Sequence, residues 1–198
     1  YQGSKVENKT IPKRSGSKKP YIKYFKNIIK KVIASHEKPM PSKKTGNLFD
    51  IGCAVGGYLK QMSHLGWNVH GIKFSETSGM VAKGTGFTVH IGAVKTAPDP
   101  KIKYDFVGGF MVIARLHNLL LCLKKCYEWL KYDSELMIFV PNIASLEFNI
   151  FKRYWYALQM LTHLYHFTPT TITKLLYAAG WQVGRLAGRY NISSKKYQ

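Results

Sequence analysis

At 198 residues, with 45% hydrophobic and 14% aromatic side chains, the chain holds enough apolar material for one packed domain, which excludes a disordered polymer. Thirty basic against ten acidic residues give a net charge of +20, and thirteen of the basic ones, with two acidic, fall between Tyr1 and Lys44. No apolar run reaches the length of a membrane span and no secretory leader pattern opens the chain, so no transmembrane segment is expected.

Residues 1–19 read as a disordered basic tail, and residues 20–198 as a single domain. The tail is first a solvated extension. Its second reading is a contact for phosphate-rich partners, nucleic acid or an anionic surface. From Pro20 to Ser35, Tyr21, Ile22, Tyr24, Phe25, Ile28, Ile29, Val32 and Ile33 repeat at helical spacing with lysines between them. Such a helix either packs upstream of a sheet or lies on a membrane. Pro39, Pro41 and Gly46 mark the loop that follows.

Leu48 to Ile51 then reads as a buried strand, breaking at Gly52-Cys53-Ala54-Val55-Gly56-Gly57 into a helix that runs to Gly66. A strand handed to a helix through small residues exposes backbone N–H groups and the positive end of a helix dipole. At the C-terminal edge of a parallel sheet, such a turn cradles a nucleotide or cofactor. Trp67 to Phe74 is expected as a second strand, Ser75 as a helix cap with Glu76 in the first turn, and Phe87 to Ile91 as a third strand. Tyr104 to Phe110 reads as the fourth strand, His117 to Lys131 as a helix and Glu135 to Val140 as the fifth strand. Thr168 to Ala179 reads as a helix stopped at Gly180, and Trp181 to Ala187 as the sixth strand. Strands alternating with helices give an α/β fold, a doubly wound, Rossmann-like, mostly parallel sheet with helices on both faces. The tail from Tyr190 is short and polar, which leaves a seventh strand open and implies an exposed sheet edge.

Cys53, Cys122 and Cys126 form no C-x-x-C pair and are odd in number, which suits free thiols in a reducing compartment such as the cytoplasm. Cys122 and Cys126 share one helix face without His or acidic partners at ligand spacing, so they read as core and no metal is expected.

The glycines fall as G-x-A-x-G-G with Asp50 two residues before the first, a spacing unlike the G-x-G-x-x-G of dehydrogenases. With YDFV, IFVPNIASLE and the block RYWYALQMLTHLYHF added, the segment from Asn47 to Ala187 resembles class I S-adenosylmethionine-dependent methyltransferases. More narrowly, it resembles the bacterial methyltransferases related to the ubiquinone-biosynthesis O-methyltransferase. The resemblance implies S-adenosylmethionine as cofactor, held by Asp50, Gly52, Cys53, Ala54 and Gly56, with Lys73 and Ala93 at the positions that address ribose and adenine. It also implies methyl transfer to a small-molecule acceptor through an oxygen nucleophile, with His163 and His166 as candidate bases. Arg153, Tyr154 and Trp155 either line the acceptor site or form a lid.

The departures from the family's pattern are concentrated in polar contacts. Lys73 stands where a carboxylate accepts the ribose diol, Ala93 where an Asp meets the adenine amino group, and Met111 to Arg115 where an H-x-L-E-H-like run is usual. Ala54 replaces the central glycine, a change tolerated if the backbone there keeps negative φ. Lys131 to Ser134 replaces a Lys-Pro-Gly-Gly turn. The competing readings are therefore an active enzyme, a diverged non-catalytic relative acting through its basic surface on anionic partners, and a phosphate contact at Lys73.

Overall fold

The computed structural model describes residues 40–187 and 191–196. The basic tail and the expected helix from Pro20 to Ser35 lie outside the described residues. Five parallel strands come first: β1 (Asn47–Ile51), β2 (Asn68–Lys73), β3 (Thr88–Ile91), β4 (Tyr104–Phe110) and β5 (Leu130–Phe139). β6 (Gln182–Ala187) and β7 (Asn191–Lys196) complete a seven-stranded sheet of order β3-β2-β1-β4-β5-β7-β6, with β7 antiparallel to both neighbours. The helices are α1 (Gly57–His64), α2 (Glu76–Gly84), α3 (Leu119–Trp129), α4 (Leu146–Phe151) and α5 (Pro169–Ala178).

Alternation along the strands divides the core in two. Leu48, Val69, Val89 and Phe106 pack with Tyr58, Leu59 and Met62 of α1 and Ala82 of α2 on one face. Phe49, Ile51, Val107, Leu136 and Ile138 pack with Leu119, Cys122, Leu123 and Cys126 of α3 and Ile172 and Leu176 of α5 on the other. This is the doubly wound sheet the sequence implies. Period-2 strands bury both faces only when helices cover each side. All three cysteines are buried and none is in a disulfide. Among the described residues no helix is long and apolar enough to cross a membrane, and no group of three or more His, Cys, Asp or Glu is placed to hold a metal.

Three expectations change. The seventh strand left open by the sequence is present. β7 lies between β5 and β6, so both edges of its backbone are paired and an apolar pattern is not what holds it. β5 starts at Leu130, directly after α3, five residues earlier than expected. Its extra length accommodates the Lys131–Ser134 run, where Asp133 takes φ +53°, a left-handed conformation that short polar side chains tolerate in place of glycine. Ser75 does stand at the start of α2, but its hydroxyl makes no capping bond.

The N-terminal ends of β1 and β4 are tied by Asp105, which accepts the Asn47 amide at 2.9 Å and the Lys131 ammonium at 2.8 Å, with Lys43 at 3.6 Å. Burial pushes its pKa up, but the bonds from Lys131 and Asn47 and the charges of Lys131 and Lys43 outweigh that and hold the carboxyl below its ordinary value. Asp105 is thus a structural clamp at the edge of the sheet opposite the glycine turn.

Candidate active site

The turn after β1 is built from alternating left-handed residues. Gly52 has φ +73°, Ala54 +51° and Gly56 +86°, and Gly56 is the N-cap of α1. The amides of Gly52 and Cys53 both donate to the Ile72 carbonyl, at 2.8 and 3.1 Å, which pins the turn to the end of β2. A Cβ on Gly52 would lie 2.6 Å from Val112 Cγ2, so the chain leaving β4 closes directly over this position. Cys53 is buried with its side chain against Gly71, where a Cβ would meet its sulfur at 2.9 Å. Its thiol therefore packs on β2, and only its backbone belongs to the turn. Ala54 and Val55 form the exposed apex.

The condition under which Ala54 would be tolerated, a negative φ, is not met. A non-glycine residue in the left-handed region costs about 1–2 kcal/mol. Ala54→Gly relieves this while adding unfolded-state entropy worth roughly 0.4–1 kcal/mol, so a net stabilisation between about 0 and about 1.6 kcal/mol is expected. A shift of the urea midpoint to higher concentration at constant slope checks it.

Two carboxylates are buried in the sheet at different levels. Asp50 is fully buried in β1, two residues before Gly52. Glu135 is nearly so in β5, where its Oε2 accepts the Ser42 amide at 3.1 Å; paired with Phe106, and through it level with Leu48, it lies toward the opposite edge of the sheet. The Tyr58 pKa is raised first by burial and then by these two carboxylates. Of the two, Asp50 is the carboxylate under the turn, and a carboxylate there favours a cationic ligand.

The C-terminal ends of β2 and β3 bring Lys73 and Ala93 together. The Gly92 amide donates to the Lys73 carbonyl at 2.9 Å, and Ala93 starts a short 3-10 turn by accepting from Thr96 and Ala97. Lys73, half-buried, closes β2 opposite Ile91. Met111 and Val112, which the sequence marks only as part of a departure from the family's pattern, prove to shape the turn. Met111 has φ +56°, strained for its type, with its amide donating to the Phe139 carbonyl at 2.8 Å. Their position just after β4 was the available signal, but nothing in the residue types announces the conformation.

From Val112 the chain leads to the histidines. Ala114 accepts the amides of Leu164 at 2.8 Å and Tyr165 at 3.2 Å, docking the HLYHF block at the end of β4. His163 is buried, 6.0 Å from the His166 ring, and neither of its ring nitrogens reaches a partner in good hydrogen-bond geometry. Burial, then Arg115 and His166, lower its pKa below 6.5 against the opposing pull of the Leu158 and Ala157 carbonyls. The His166 Nε2–H donates to the Leu158 carbonyl at 2.8 Å, which leaves Nδ1 as its accepting nitrogen. Arg115 donates to Gln159 Oε1 at 2.5 Å. Trp155 is buried against Phe148, whereas Arg153 and Tyr154 point outward and pair with each other. A separate cavity of about 390 Å³, lined by His70, His90, Tyr104, Trp129 and the 97–102 loop, includes none of the turn residues.

The structure thus gathers Asp50, Gly52 to Gly56, Lys73 and Ala93 at one edge of the sheet, with His163 and His166 docked on the segment that covers Gly52. The turn, its exposed apex and the Asp50 carboxylate beneath it fit the methionine end of a sulfonium nucleoside. Lys73, at the end of β2, carries no hydrogen-bond acceptor.

No curated protein sequence matches the chain. A family model described as a methyltransferase domain matches residues 23–186. Among solved structures, the chain is similar to a SAM-dependent methyltransferase from Thermotoga maritima, at 16% identity and TM-score 0.62, over 89% of this chain and 98% of that one. It is similar to a SAM-dependent methyltransferase from Archaeoglobus fulgidus at 20% identity and TM-score 0.61, over 88% and 94%. It is also similar to magnesium protoporphyrin IX methyltransferase from Synechocystis PCC 6803, solved with bound SAH, at 15% identity and TM-score 0.61, over 89% and 83%. At these identities the likeness is one of fold, and the sheet order and the domain match together carry the assignment. The chain belongs to the class I S-adenosylmethionine-dependent methyltransferase family, whose cofactor is S-adenosylmethionine.

Proposed function

We propose that the chain transfers a methyl group from S-adenosylmethionine to the oxygen of a small-molecule acceptor, in the cytoplasm, with His163 as general base. The observation that carries this reading is the joining of turn and imidazole through one segment: Val112 covers Gly52, and Ala114, two residues on, takes the backbone of the HLYHF block. The likeness of that block to the ubiquinone-biosynthesis O-methyltransferases supports oxygen as the nucleophile.

When bound, S-adenosylmethionine supplies an electrophilic methyl on a sulfonium. Gly52, Cys53, Ala54 and Gly56 would flank its amino-acid end, the amides of Gly52, Cys53 and Gly56 being spent on holding the turn's own shape, with the Asp50 carboxylate below providing the negative field for a cation. Lys73 and Ala93 flank the nucleoside. The protein's main contribution to a direct displacement is alignment of acceptor and methyl. His163, kept neutral by its lowered pKa, takes the acceptor's proton at a ring nitrogen. His166, fixed by its bond to Leu158, orients the pair.

The test is single-turnover methyl transfer from labelled cofactor to a panel of phenols and hydroxy acids, with native chain and His163→Asn. The substitution is expected to lower kcat about 10²–10⁴-fold with cofactor binding retained. A second readout follows from linkage. A depressed folded pKa means that the unfolded chain binds the proton first, so this contribution is complete above about pH 6.5 and lost as pH falls through the folded value. His163→Asn should therefore flatten the fall in thermal midpoint below pH 6.5. Methyl transfer unaffected by the substitution would remove His163 from the mechanism, and no cofactor binding by the native chain would remove the activity.

A further inference from the structure

The segment between β5 and α5 turns an unusual amount of apolar surface outward. From Leu146 to Phe167 four residues anchor it: Trp155, Ala157, His163 and Phe167 are buried. Around them Leu146, Ile150, Tyr154, Met160 and Leu161 are each more than 60% exposed, and Leu161 reaches 101%. None of the α4 residues is buried. A soluble surface seldom presents so many large apolar side chains in one run, and such patches mark an interaction surface.

Charge identifies the occupant. Between residues 141 and 167 Glu147 is the single acidic residue, while Lys152 and Arg153 stand exposed among the apolar side chains. The Lys152 ammonium lies 6.0 Å from the Phe148 ring and the Arg153 guanidinium 4.8 Å from the Tyr154 ring, so both cations rise along aromatic bodies. Aliphatic tips, tyrosines and long basic side chains in one patch match the layered chemistry of a bilayer interface: acyl region, headgroup boundary and anionic headgroups. A second copy of the chain is a poor occupant, because each copy carries +20 and the patch itself adds positive charge. We propose that the face formed by residues 146–165 docks on an anionic phospholipid surface, with Ile150 and Leu161 entering the acyl boundary. This is peripheral attachment and does not depend on the cofactor turn.

The experiment uses the full chain carrying Leu161→Trp, mixed with vesicles of phosphatidylcholine containing about 30% phosphatidylglycerol, with and without bromine on the acyl chains. The native tryptophans Trp67, Trp129, Trp155 and Trp181 are all buried, so quenching by brominated lipid reports the introduced indole. Expected are binding that falls with salt, quenching of that indole, and a loss of vesicle partition of at least about tenfold in Ile150→Ser/Leu161→Ser. Both sites are exposed, so that variant keeps its fold, and its thermal midpoint verifies this.

Binding without quenching would mean that other basic residues hold the vesicle, which overturns the proposal. No binding also overturns it. An indole already shielded before lipid is added means that another part of the chain covers the patch. A concentration-dependent dimer abolished by the serine pair makes the patch a self-interface.

Discussion

Lys73→Glu is expected to tighten binding of S-adenosylmethionine by about one to two orders of magnitude, because a hydrogen bond to a charged group contributes about 1.5–3 kcal/mol. Lys73 closes β2 beside the turn and is half-buried, so a carboxylate there is positioned to accept both hydroxyls of a ribose diol. The native ammonium has three donors and no acceptor, and its charge also opposes a cationic ligand. Two terms are thus changed at once, and the demethylated product separates them. S-adenosylhomocysteine carries a neutral thioether, so its gain measures the ribose contact, while any excess gain for S-adenosylmethionine measures the relieved repulsion. Ala93→Asp, next to the Lys73–Gly92 hydrogen bond, adds an acceptor for the adenine amino group, and at this proximity the two introduced carboxylates repel, so the double variant should gain less than the sum. Calorimetric titration of the native chain, both single variants and the double variant gives all four affinities. If no variant gains, the nucleoside is not held at the ends of β2 and β3. If the native chain fails to bind while the double variant succeeds, the turn is intact and its nucleoside contacts have been lost, as in a non-catalytic relative.

The sequence made some of this site legible and hid the rest for identifiable reasons. β1 and its turn could be read because a buried apolar run ending in D-x-G-x-A-x-G-G has few other physical uses, and the observed strand differs from the reading by one residue. β4 agrees at both ends, since apart from Asp105 the run Tyr104 to Phe110 is apolar or glycine and follows a lysine-rich stretch. β7 was hidden because its pairing is satisfied by backbone on both sides, which leaves little trace in side-chain pattern. The 146–167 segment was hidden because four buried anchors hold an otherwise outward-facing run with no period of 2 or 3.6. The conformations of Ala54 and Met111 were hidden too. Neither residue type signals positive φ: Ala54 stands at the exposed apex of the turn and Met111 directly after β4, bonded to the Phe139 carbonyl. Strain of this kind gathers at sites where the surrounding structure overrides local preference.

Gly52→Ala is expected to destabilise the chain by about 2–5 kcal/mol, the sum of a left-handed penalty near 1–2 and an overpacking penalty near 1–3. Ala54 shows that the first term alone is survivable, because its methyl sits at an exposed apex with φ +51°. Gly52 differs in what lies above it. A methyl there would stand 2.6 Å from Val112 Cγ2 and 2.9 Å from Val112 Cβ, and the Gly52 amide is held to Ile72, so neither side yields freely. A double-mutant cycle with Val112→Ala removes the carbon at 2.6 Å, keeps the Cβ at 2.9 Å and leaves φ unchanged, so it recovers part of the overpacking term. A favourable coupling of about 0.5–3 kcal/mol in urea unfolding is expected, with the left-handed penalty and the residual contact at Cβ remaining in the double variant. Cofactor affinity should follow the same order, lost in Gly52→Ala and partly regained in the double variant, because the clash pushes the turn away from the segment that carries Ala114 and the docked histidines. Zero coupling would mean that Val112 moves aside without cost. The glycine would then be required for its dihedral angle alone, and the closure of β4 over the turn would play no part in shaping the site.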